Sequence, residues 1–280
     1  MSIIRLAVAC AASAMAFHGF GGDMAACKAA PSRSLTIMSY NIYECQGWKN
    51  PQGACNTNAI SNVARIIRAV DPDVACLQEV DTAAPDKAAF DHTVQLSRLT
   101  GLHATFAGVF KHRNGGMWGE AILSREKPLS TREFHMDEVK RGPRRVALIA
   151  EFPRYVVCCT HLALEEEDRV KQSRLLLEEL RKDTKPVFLC GDLNSTPDIE
   201  PMRVLGERFA TLSATDGATW PSHHLTAKIA ECIDYIMVDK AHAALFPVLK
   251  RSVIKDTEAS DHCAVTVVLD GTRLGLGAAD

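Results

Sequence analysis

The chain has 280 residues, enough for one large α/β domain or two small ones, and its composition is ordinary for a globular protein. Its 32 Lys and Arg against 34 Asp and Glu give a formal net charge of −2. The sequence has no basic block of the kind that follows many nucleic-acid phosphates, which argues against high-affinity DNA binding but leaves room for an enzyme that contacts one or two phosphates.

Residues 1–26 predict a leader for export. Arg5 is followed by apolar and small residues up to Phe17, a run too short to span a bilayer but suited to a signal peptide. The "AMA" at Ala14–Ala16 offers a cleavage site for such a leader. Two alternatives are a lipid-modified Cys27 in "MAAC" and an uncleaved apolar tail. We expect a periplasmic or extracellular protein, and no later segment is long and apolar enough to span a membrane.

Apolar runs and helical spacing predict the following elements in chain order. A strand at 34–42 precedes a helix at 58–71, a strand at 73–81 and a helix at 90–99. Strands follow at 119–125, 144–152 and 155–162, and then the strongest predicted helix at 164–183. A strand at 186–194 leads into a polar region at 195–228 that we read as irregular, and the last two predicted strands are 232–238 and 263–269.

The predicted elements form one domain. The sequence has no internal repeat and no linker rich in Gly, Ser or Pro, so we place a single domain at 34–270 and a short tail at 271–280. Runs of strands with few helices favour packed sheets that are covered by helices.

The cysteines predict buried thiols rather than a zinc site, because paired C-x₂-C spacings are absent. In an exported protein Cys45 and Cys55, which bracket a polar loop, are the best candidates for a disulfide. Four other cysteines lie in apolar strand-like runs, where a thiol behaves as a small hydrophobic group: Cys76, Cys158, Cys159 and Cys190.

Residues that can bind a metal or transfer a proton recur where predicted strands begin or end. Any one of them alone is explained as a turn former, a helix cap or a solvated side chain. Together they predict one pocket at the strand ends. The set comprises Asn41, Glu79, His161, Asp192, Asn194, Asp234, Asp261 and His262.

This donor set predicts phosphate chemistry with a hard cation. Carboxylate and amide oxygens without thiolates favour Mg²⁺ or Mn²⁺, for which Glu79 and Asp261 would suffice beside a substrate phosphate. His262 held by Asp234 can transfer a proton or, as imidazolium, stabilise a developing oxyanion. A Gly-x-Ser-x-Gly elbow, a P-loop and a dinucleotide glycine fingerprint are all absent, which excludes the enzyme classes that depend on them.

The motifs occur in the order and at roughly the distances seen in a known superfamily. They are "SYNI", "LQEVD", "GEAILSR", "CTHL", "GDLNSTPD", "IDYIMV" and "SDHCAV". From Leu35 to Leu269 the chain resembles the endonuclease/exonuclease/phosphatase superfamily, which includes the deoxyribonuclease I-like enzymes. The resemblance implies an α/β four-layer sandwich in which two packed mixed β-sheets are flanked by helices.

The resemblance also implies a role for each residue. Glu79 is similar to the principal metal ligand, Asn41 helps to place metal and phosphate, and Asp261 resembles a further metal carboxylate. The implied catalytic residues are Asp192 and Asn194, which orient water and steady the phosphoryl oxygens, His262 with its partner Asp234, and His161 as second histidine.

Two positions depart from many relatives, and one assignment rests on strand geometry. Tyr43 stands where many relatives have an acid. Glu120 stands where some relatives have Asn, and a carboxylate at position 120 would repel phosphate unless it faces away or binds the ion. Arg144 and Arg145 are adjacent on a strand and point opposite ways, so at most one contacts phosphate. We assign that contact to Arg144, with solvated surface as the alternative.

The predicted function is an exported, monomeric, Mg²⁺- or Mn²⁺-dependent phosphodiesterase that uses water to cleave a P–O bond. A nuclease, a sphingomyelin, phospholipid or phosphoinositide hydrolase, and an enzyme acting on a small phosphorylated metabolite are alternatives. The short basic stretch Lys111–Gly116 is the one feature that favours a nuclease. The aromatic content of 6 % disfavours a phospholipid or sphingomyelin hydrolase. A catalytically inactive binding module is the alternative outside this class.

Overall fold

The computed structural model describes residues 34–47, 57–111, 115–137, 144–222, 230–256 and 258–274. The predicted leader, Cys27, Cys55 and most of the predicted tail lie outside these ranges. Export, lipidation and the Cys45–Cys55 disulfide therefore stay predictions. Within the described ranges, no helix combines the length and the apolar character needed to cross a bilayer.

Twelve strands in the described part of the chain form two six-stranded mixed sheets. The first sheet has the order β11 (Val248–Ile254), β12 (Ala264–Asp270), β1 (Ser34–Asn41), β2 (Val74–Ala83), β4 (Gly115–Ser124) and β3 (His103–Lys111). The second has the order β5 (Ser130–Met136), β6 (Arg145–Glu151), β7 (Val156–His161), β8 (Val187–Asp192), β10 (Asp234–Asp239) and β9 (Phe209–Thr211). Strands β1 and β2 are parallel, as are β7 and β8, and the other pairings are antiparallel.

Helices cover the outer faces of the two sheets. The described helices are α1 (Thr57–Val70), α2 (His92–Thr100), α3 (Glu166–Leu180) and α4 (Glu200–Gly206). Single 3₁₀ segments occur at Tyr43–Cys45, Pro85–Phe90, Ala243–Leu245 and Thr272–Leu274. The predicted four-layer sandwich is confirmed.

The side chains of each central strand alternate between two buried layers, because both faces of each sheet are covered. In β2, Cys76 faces the core between the sheets, whereas Ala75 and Leu77 pack beneath α1 and α2. In β8, Phe188 faces that central core and Leu189 packs beneath α3 and α4. This two-sided burial explains why the central strands are continuous apolar runs.

The three predicted helices form close to their predicted bounds. In α1, Ile60, Val63 and Ile67 are buried against the first sheet, as their spacing predicts. Asp91 caps α2 by accepting a hydrogen bond from the Val94 backbone N–H at 3.0 Å. Gly101 ends α2 in the left-handed conformation with φ of 76°, which glycine adopts without steric cost.

The strands that the sequence reading missed are the four edge strands, β3, β5, β9 and β11. The reading of 195–228 as irregular is wrong in part, because α4 and β9 lie there. Each edge strand leaves several residues at least partly exposed, so its sequence mixes polar and apolar side chains without a continuous apolar run. The four cysteines of the predicted strands are all buried, as expected.

Candidate active site

Three of the predicted site residues form one row across the second sheet. His161 at the end of β7 is the register partner of Asp192 at the end of β8, and Asp192 is the register partner of Asp234 at the start of β10. All three side chains are buried or nearly so. The parallel β7–β8 pair and the antiparallel β8–β10 pair thus place an imidazole and two carboxylates side by side.

The first sheet contributes Asn41 and Glu79 from β1 and β2. The register of β2 shifts between Leu77 and Val80, and Glu79 has φ of 57°, so the strand bulges where Glu79 leaves it. Asn41 Nδ2 donates to Glu79 Oε1 at 3.0 Å and to Asp192 Oδ2 at 3.1 Å. Asn41 therefore links the two sheets at the site.

The amide oxygen of Asn41 points away from the carboxylates. Its Oδ1 accepts a hydrogen bond from the Tyr43 backbone N–H at 3.0 Å. In this arrangement Asn41 positions Glu79 and Asp192 as a donor, and its oxygen does not face the space that they surround. The resemblance implies that Asn41 helps to place metal and phosphate, and that role stays a prediction.

The loop before β12 brings Asp261 and His262 to the same place. Ser260 Oγ donates to the Asn41 carbonyl at 2.7 Å and accepts from the His262 backbone N–H at 3.0 Å. Trp220 Nε1 donates to Asp261 Oδ2 at 3.2 Å. The other oxygen of Asp261, Oδ1, is buried and has no hydrogen-bond partner among the described residues.

Six of the predicted residues line one cavity of about 440 Å³, while Asn41 and Asp234 lie behind it. The six are Glu79, His161, Asp192, Asn194, Asp261 and His262. Asn194 has φ of 47° and contacts Asp192 Oδ1 through its backbone N–H at 2.9 Å, while its side-chain amide lies 3.0 Å from His161 Nε2.

The assignment of the phosphate contact to Arg144 is wrong, because Arg144 does not line the cavity. The Arg144 side chain is 67 % exposed, and its Nε lies 3.7 Å from Asp137 Oδ1. Strand alternation instead turns the next residue inward, so that Arg145 lines the cavity with its guanidinium carbon 5.5 Å from the Trp118 ring centre. Of the two arginines, Arg145 is therefore the one placed to contact a phosphate in the cavity.

The pKa values of the two histidines are shifted in opposite directions. Burial alone would lower the pKa of His262, but the carboxylates of Asp234 and Asp192 outweigh it and raise the pKa to about 10. Its Nδ1 contacts both oxygens of Asp234, at 3.0 and 3.2 Å. Burial and the Arg145 charge hold the pKa of His161 well below its usual value. At neutral pH His262 is therefore an imidazolium and His161 is a neutral imidazole.

The carboxylates repel one another and are poorly solvated. Burial raises the pKa of Glu79 to about 7, and the charges of Asp261 and Asp192 add to that rise. Burial likewise raises the pKa of Asp192 to about 6, with a contribution from Asp234. A cation among these groups would reverse both shifts, because it stabilises the charged forms.

The arrangement fits a divalent cation on the side of Glu79 and Asp261. Glu79 keeps 21 % of its side chain exposed to the cavity, and Asp261 offers the oxygen that lacks a partner. Asp192, Asp234 and His262 also place ligand atoms within 4.8 Å of one another. However, both oxygens of Asp234 are engaged by His262, so a cation there would have to break that contact.

Glu120 does not face the cavity. It is fully buried, and neither carboxylate oxygen has a hydrogen-bond partner among the described residues. Burial raises its pKa well above the usual value, while the neighbouring Arg145 charge opposes that rise. The sequence leaves open that Glu120 faces away from a substrate phosphate, and its burial outside the cavity lining agrees with that alternative.

The sequence reading missed the aromatic residues that line the cavity. Trp118 lies 6.1 Å from His161 and Trp220 lies 6.4 Å from His262, measured between ring centres. Phe110 stacks on Trp118 at 5.1 Å with 16° between the ring planes. The sequence carries no clear signal for either tryptophan, because Trp118 lies one residue before the predicted strand at 119–125 and Trp220 lies in an irregular segment.

Known proteins are similar to this chain in sequence and in fold. The chain is 27 % identical over 223 residues to protein angel of Drosophila melanogaster, a match that covers 65 % of this chain and 58 % of that protein. The fold is similar to an endonuclease/exonuclease/phosphatase from Beutenbergia cavernae (22 % identity, TM-score 0.68, 85 % of this chain and 72 % of that one). It is also similar to a mannosyl-6-phosphatase from Bacteroides thetaiotaomicron (18 % identity, TM-score 0.67, 84 % of this chain and 99 % of that one).

A family model matches most of the described domain. The model of the Endonuclease/Exonuclease/phosphatase family matches residues 38–262, which run from β1 to His262. Members of this superfamily generally hydrolyse phosphate esters and use a divalent metal. The chain belongs to the Endonuclease/Exonuclease/phosphatase family.

Proposed function

We propose that this protein is an exported, divalent-metal-dependent phosphodiesterase that cleaves a P–O bond by attack of water. The observation that carries the proposal is that three of the predicted carboxylates and both predicted histidines line one cavity, namely Glu79, Asp192, Asp261, His161 and His262. Carboxylates that repel one another so closely call for a cation, and phosphate supplies the remaining ligands that Mg²⁺ or Mn²⁺ prefers.

The residues divide into an ion-holding side and a proton-transfer side. Glu79 and Asp261 would hold the ion, which when bound supplies positive charge that polarises the phosphoryl oxygen. Arg145 lies on the cavity wall and can neutralise a second phosphoryl oxygen. These positive charges stabilise the negative charge that builds up on the phosphoryl group during displacement.

Asp192 is suited to deprotonate the attacking water, and Asn194 is suited to orient it. Asp192 Oδ2 lies 3.3 Å from His161 Nε2 and 3.7 Å from His262 Nε2, at the centre of the site. With its pKa raised to about 6 by burial, Asp192 is ionised at neutral pH yet basic enough to accept a proton. The new bond forms from the water oxygen to phosphorus, while the water proton passes to Asp192.

His262 is suited to protonate the leaving oxygen. Asp234 holds its Nδ1 on the buried side, so Nε2 faces the cavity with a proton to give. As the P–O ester bond breaks, that proton passes to the departing oxygen, which leaves as an alcohol. Because His161 is neutral and contacts Asn194, it serves to position that amide rather than to give a proton.

The test is hydrolysis of methyl p-nitrophenyl phosphate with Mn²⁺ or Mg²⁺ and with EDTA. We expect activity only with metal, and a loss of about 10²–10⁴-fold in kcat in His262→Ala and Asp192→Asn proteins. His103→Ala, which removes an exposed histidine from β3, is the matched control and retains activity. Full activity in EDTA, or in both site variants, would contradict the proposal.

Calorimetry distinguishes an enzyme from an inactive binding module of the same fold. The enzyme binds Mn²⁺ and loses that binding in Glu79→Gln, whereas an inactive module binds phosphate esters without turnover. The export part of the proposal rests on the N-terminal sequence alone. Mass spectrometry of the mature protein from cell fractions tests it, and an intact Met1 in the cytoplasmic fraction would contradict it.

A further inference from the structure

Trp220, which lies outside the predicted set of site residues, contacts the carboxylate of Asp261. Its Nε1–H donates to Asp261 Oδ2 at 3.2 Å. The other oxygen, Oδ1, is buried and finds no hydrogen-bond partner in the part of the chain that the structure describes. An indole N–H is a donor only, so it can hold a carboxylate oxygen but cannot replace it as a metal ligand. The two oxygens of Asp261 thus differ: the protein holds one and leaves the other for a ligand.

The residues on either side of Trp220 hold the backbone at Asp261. The Ser222 backbone N–H donates to the Asp261 carbonyl at 2.5 Å, and the Cys263 backbone N–H donates to the Thr219 carbonyl at 2.7 Å. These two hydrogen bonds fix the main chain around Asp261, and the indole then fixes the direction of its carboxylate. The whole residue, and not only its side chain, is held in one orientation.

Trp220 is itself anchored to the second sheet. Thr219 is fully buried, and its Oγ1 accepts hydrogen bonds from the Ile233 and Asp234 backbone N–H groups at 3.0 and 3.2 Å. Trp220 and Glu231 exchange two backbone hydrogen bonds of 3.0 and 2.7 Å just before β10. Asp261 instead precedes β12 of the first sheet. The indole therefore holds Asp261 from the opposite sheet, as a fixed external support.

Such a support matters because Asp261 faces like charge. Asp261 and Glu79 line the same cavity, and the charge of Asp261 contributes to the raised pKa of Glu79. A carboxylate without a partner would rotate away from that charge, and turning it back towards an ion would cost side-chain entropy. Hydrogen-bond partners of metal-ligating side chains remove this cost, and their loss typically weakens metal binding about 10–100-fold.

We propose that Trp220 is the positioning residue of the ion site: it holds Asp261 Oδ2 so that Oδ1 is presented to the divalent cation. This inference rests on the proposed metal-dependent function and names a residue that shapes its ion site. Trp220 acts only through Asp261, because its N–H is engaged with that carboxylate and not with the substrate.

The test is calorimetric titration of Mn²⁺ into the metal-free protein without substrate. Trp220→Phe removes the N–H together with part of the ring. Replacement of Trp220 by benzothienylalanine keeps the shape of both rings and removes only the N–H. Trp118→Phe is the matched control, because Trp118 lines the same cavity but contacts Phe110 and Arg145 rather than a carboxylate.

We expect the Kd for Mn²⁺ to rise about 10–100-fold in both Trp220 variants and to stay unchanged in Trp118→Phe. The Mn²⁺ concentration that gives half-maximal ester hydrolysis should rise by the same factor. In EDTA the benzothienylalanine protein should keep the wild-type Tm, since its packing is preserved. Its gain in Tm on adding Mn²⁺ should be smaller, because a weaker ligand stabilises the folded state less.

The Mn²⁺ affinity of the benzothienylalanine protein decides the matter. A wild-type Kd in that protein would overturn the inference even if Trp220→Phe binds weakly, because the ring rather than its hydrogen bond would then be responsible. An equal loss in Trp118→Phe would also overturn it, since any change in the cavity wall would have the same effect. In both cases the proposed function stands. A wild-type protein that binds no Mn²⁺ would contradict the proposed function itself, and this inference with it.

Discussion

Replacing Asp234 with asparagine should lower the pKa of His262 strongly. Asp234 contacts Nδ1 of His262 through both oxygens, whereas Asp192 lies 3.7 Å from Nε2. Asp234 therefore supplies the larger share of the stabilisation that raises the imidazole pKa to about 10. Asparagine keeps the size of the side chain and removes its charge.

The size of the change follows from the geometry. A rise in pKa from 6.5 to about 10 corresponds to roughly 5 kcal/mol between the two protonation states of His262. Loss of one adjacent opposite charge typically changes a pKa by about 1–3 units, so we expect His262 in Asp234→Asn to titrate between about 7 and 9. The imidazolium is then partly lost near neutral pH, and the alkaline limb of the rate–pH profile moves to lower pH.

Histidine NMR of the metal-free protein measures this directly. The imidazole carbons and nitrogens are followed from pH 5 to 10.5 in EDTA, with His262→Ala used to assign the signal and Asp216→Asn as a control. A pKa of His262 that stays at about 10 in Asp234→Asn, or a wild-type value near 6.5, would refute the reasoning.

The same shift sets a pH dependence of stability. The folded-state pKa of His262 lies above its unfolded value, so this group contributes its full stabilisation below pH 6.5 and loses it as pH rises to about 10. In Asp234→Asn that contribution is smaller and is lost at lower pH. Urea unfolding at pH 6 and pH 9 detects the difference between the two proteins.

Three further predictions concern the metal, the arginine and the core. The pKa of Glu79 is raised to about 7, so its contribution to stability is fully present below pH 4.5 and is lost as pH rises through 7. Because Mn²⁺ binds the ionised carboxylate, we expect Mn²⁺ to raise Tm more at pH 8 than at pH 5. A larger rise at pH 5 would contradict this. Arg145→Lys should raise KM about tenfold, because lysine keeps the charge but cannot make the planar, two-pronged contact of a guanidinium, while Arg144→Lys should leave KM unchanged in the same assay. Phe188→Ala should cost about 3–5 kcal/mol in urea unfolding, because Phe188 is fully buried and packs edge-on against Phe246, and a cost below 1 kcal/mol would contradict that packing.

The sequence was sufficient for the central strands, which are covered on both faces. Strands such as β2 and β8 are continuous apolar runs because helices cover one face and the opposite sheet covers the other. The edge strands β3, β5, β9 and β11 have no such signal, since partly exposed residues interrupt their apolar positions. These edge strands form because they pair with a neighbouring strand, and the residues of that neighbour lie elsewhere in the sequence.

The same contrast holds for the site. Carboxylates and histidines at strand ends were recognisable because their types and order imply chemistry. To choose between Arg144 and Arg145, one must know which of the two side chains points inward from the strand. The structure shows that this residue is Arg145. Trp220 reaches Asp261 through an irregular segment, and no local rule predicts where such a segment returns to the site.

Anomalous diffraction from crystals soaked in Mn²⁺ tests the central claim most directly, that these separated acids and imidazoles surround one divalent cation. The account predicts an anomalous peak in the cavity within coordination distance of Glu79 and Asp261, absent from crystals of Glu79→Gln. A peak bound elsewhere, or none in a crystal whose cavity is open to solvent, would contradict it.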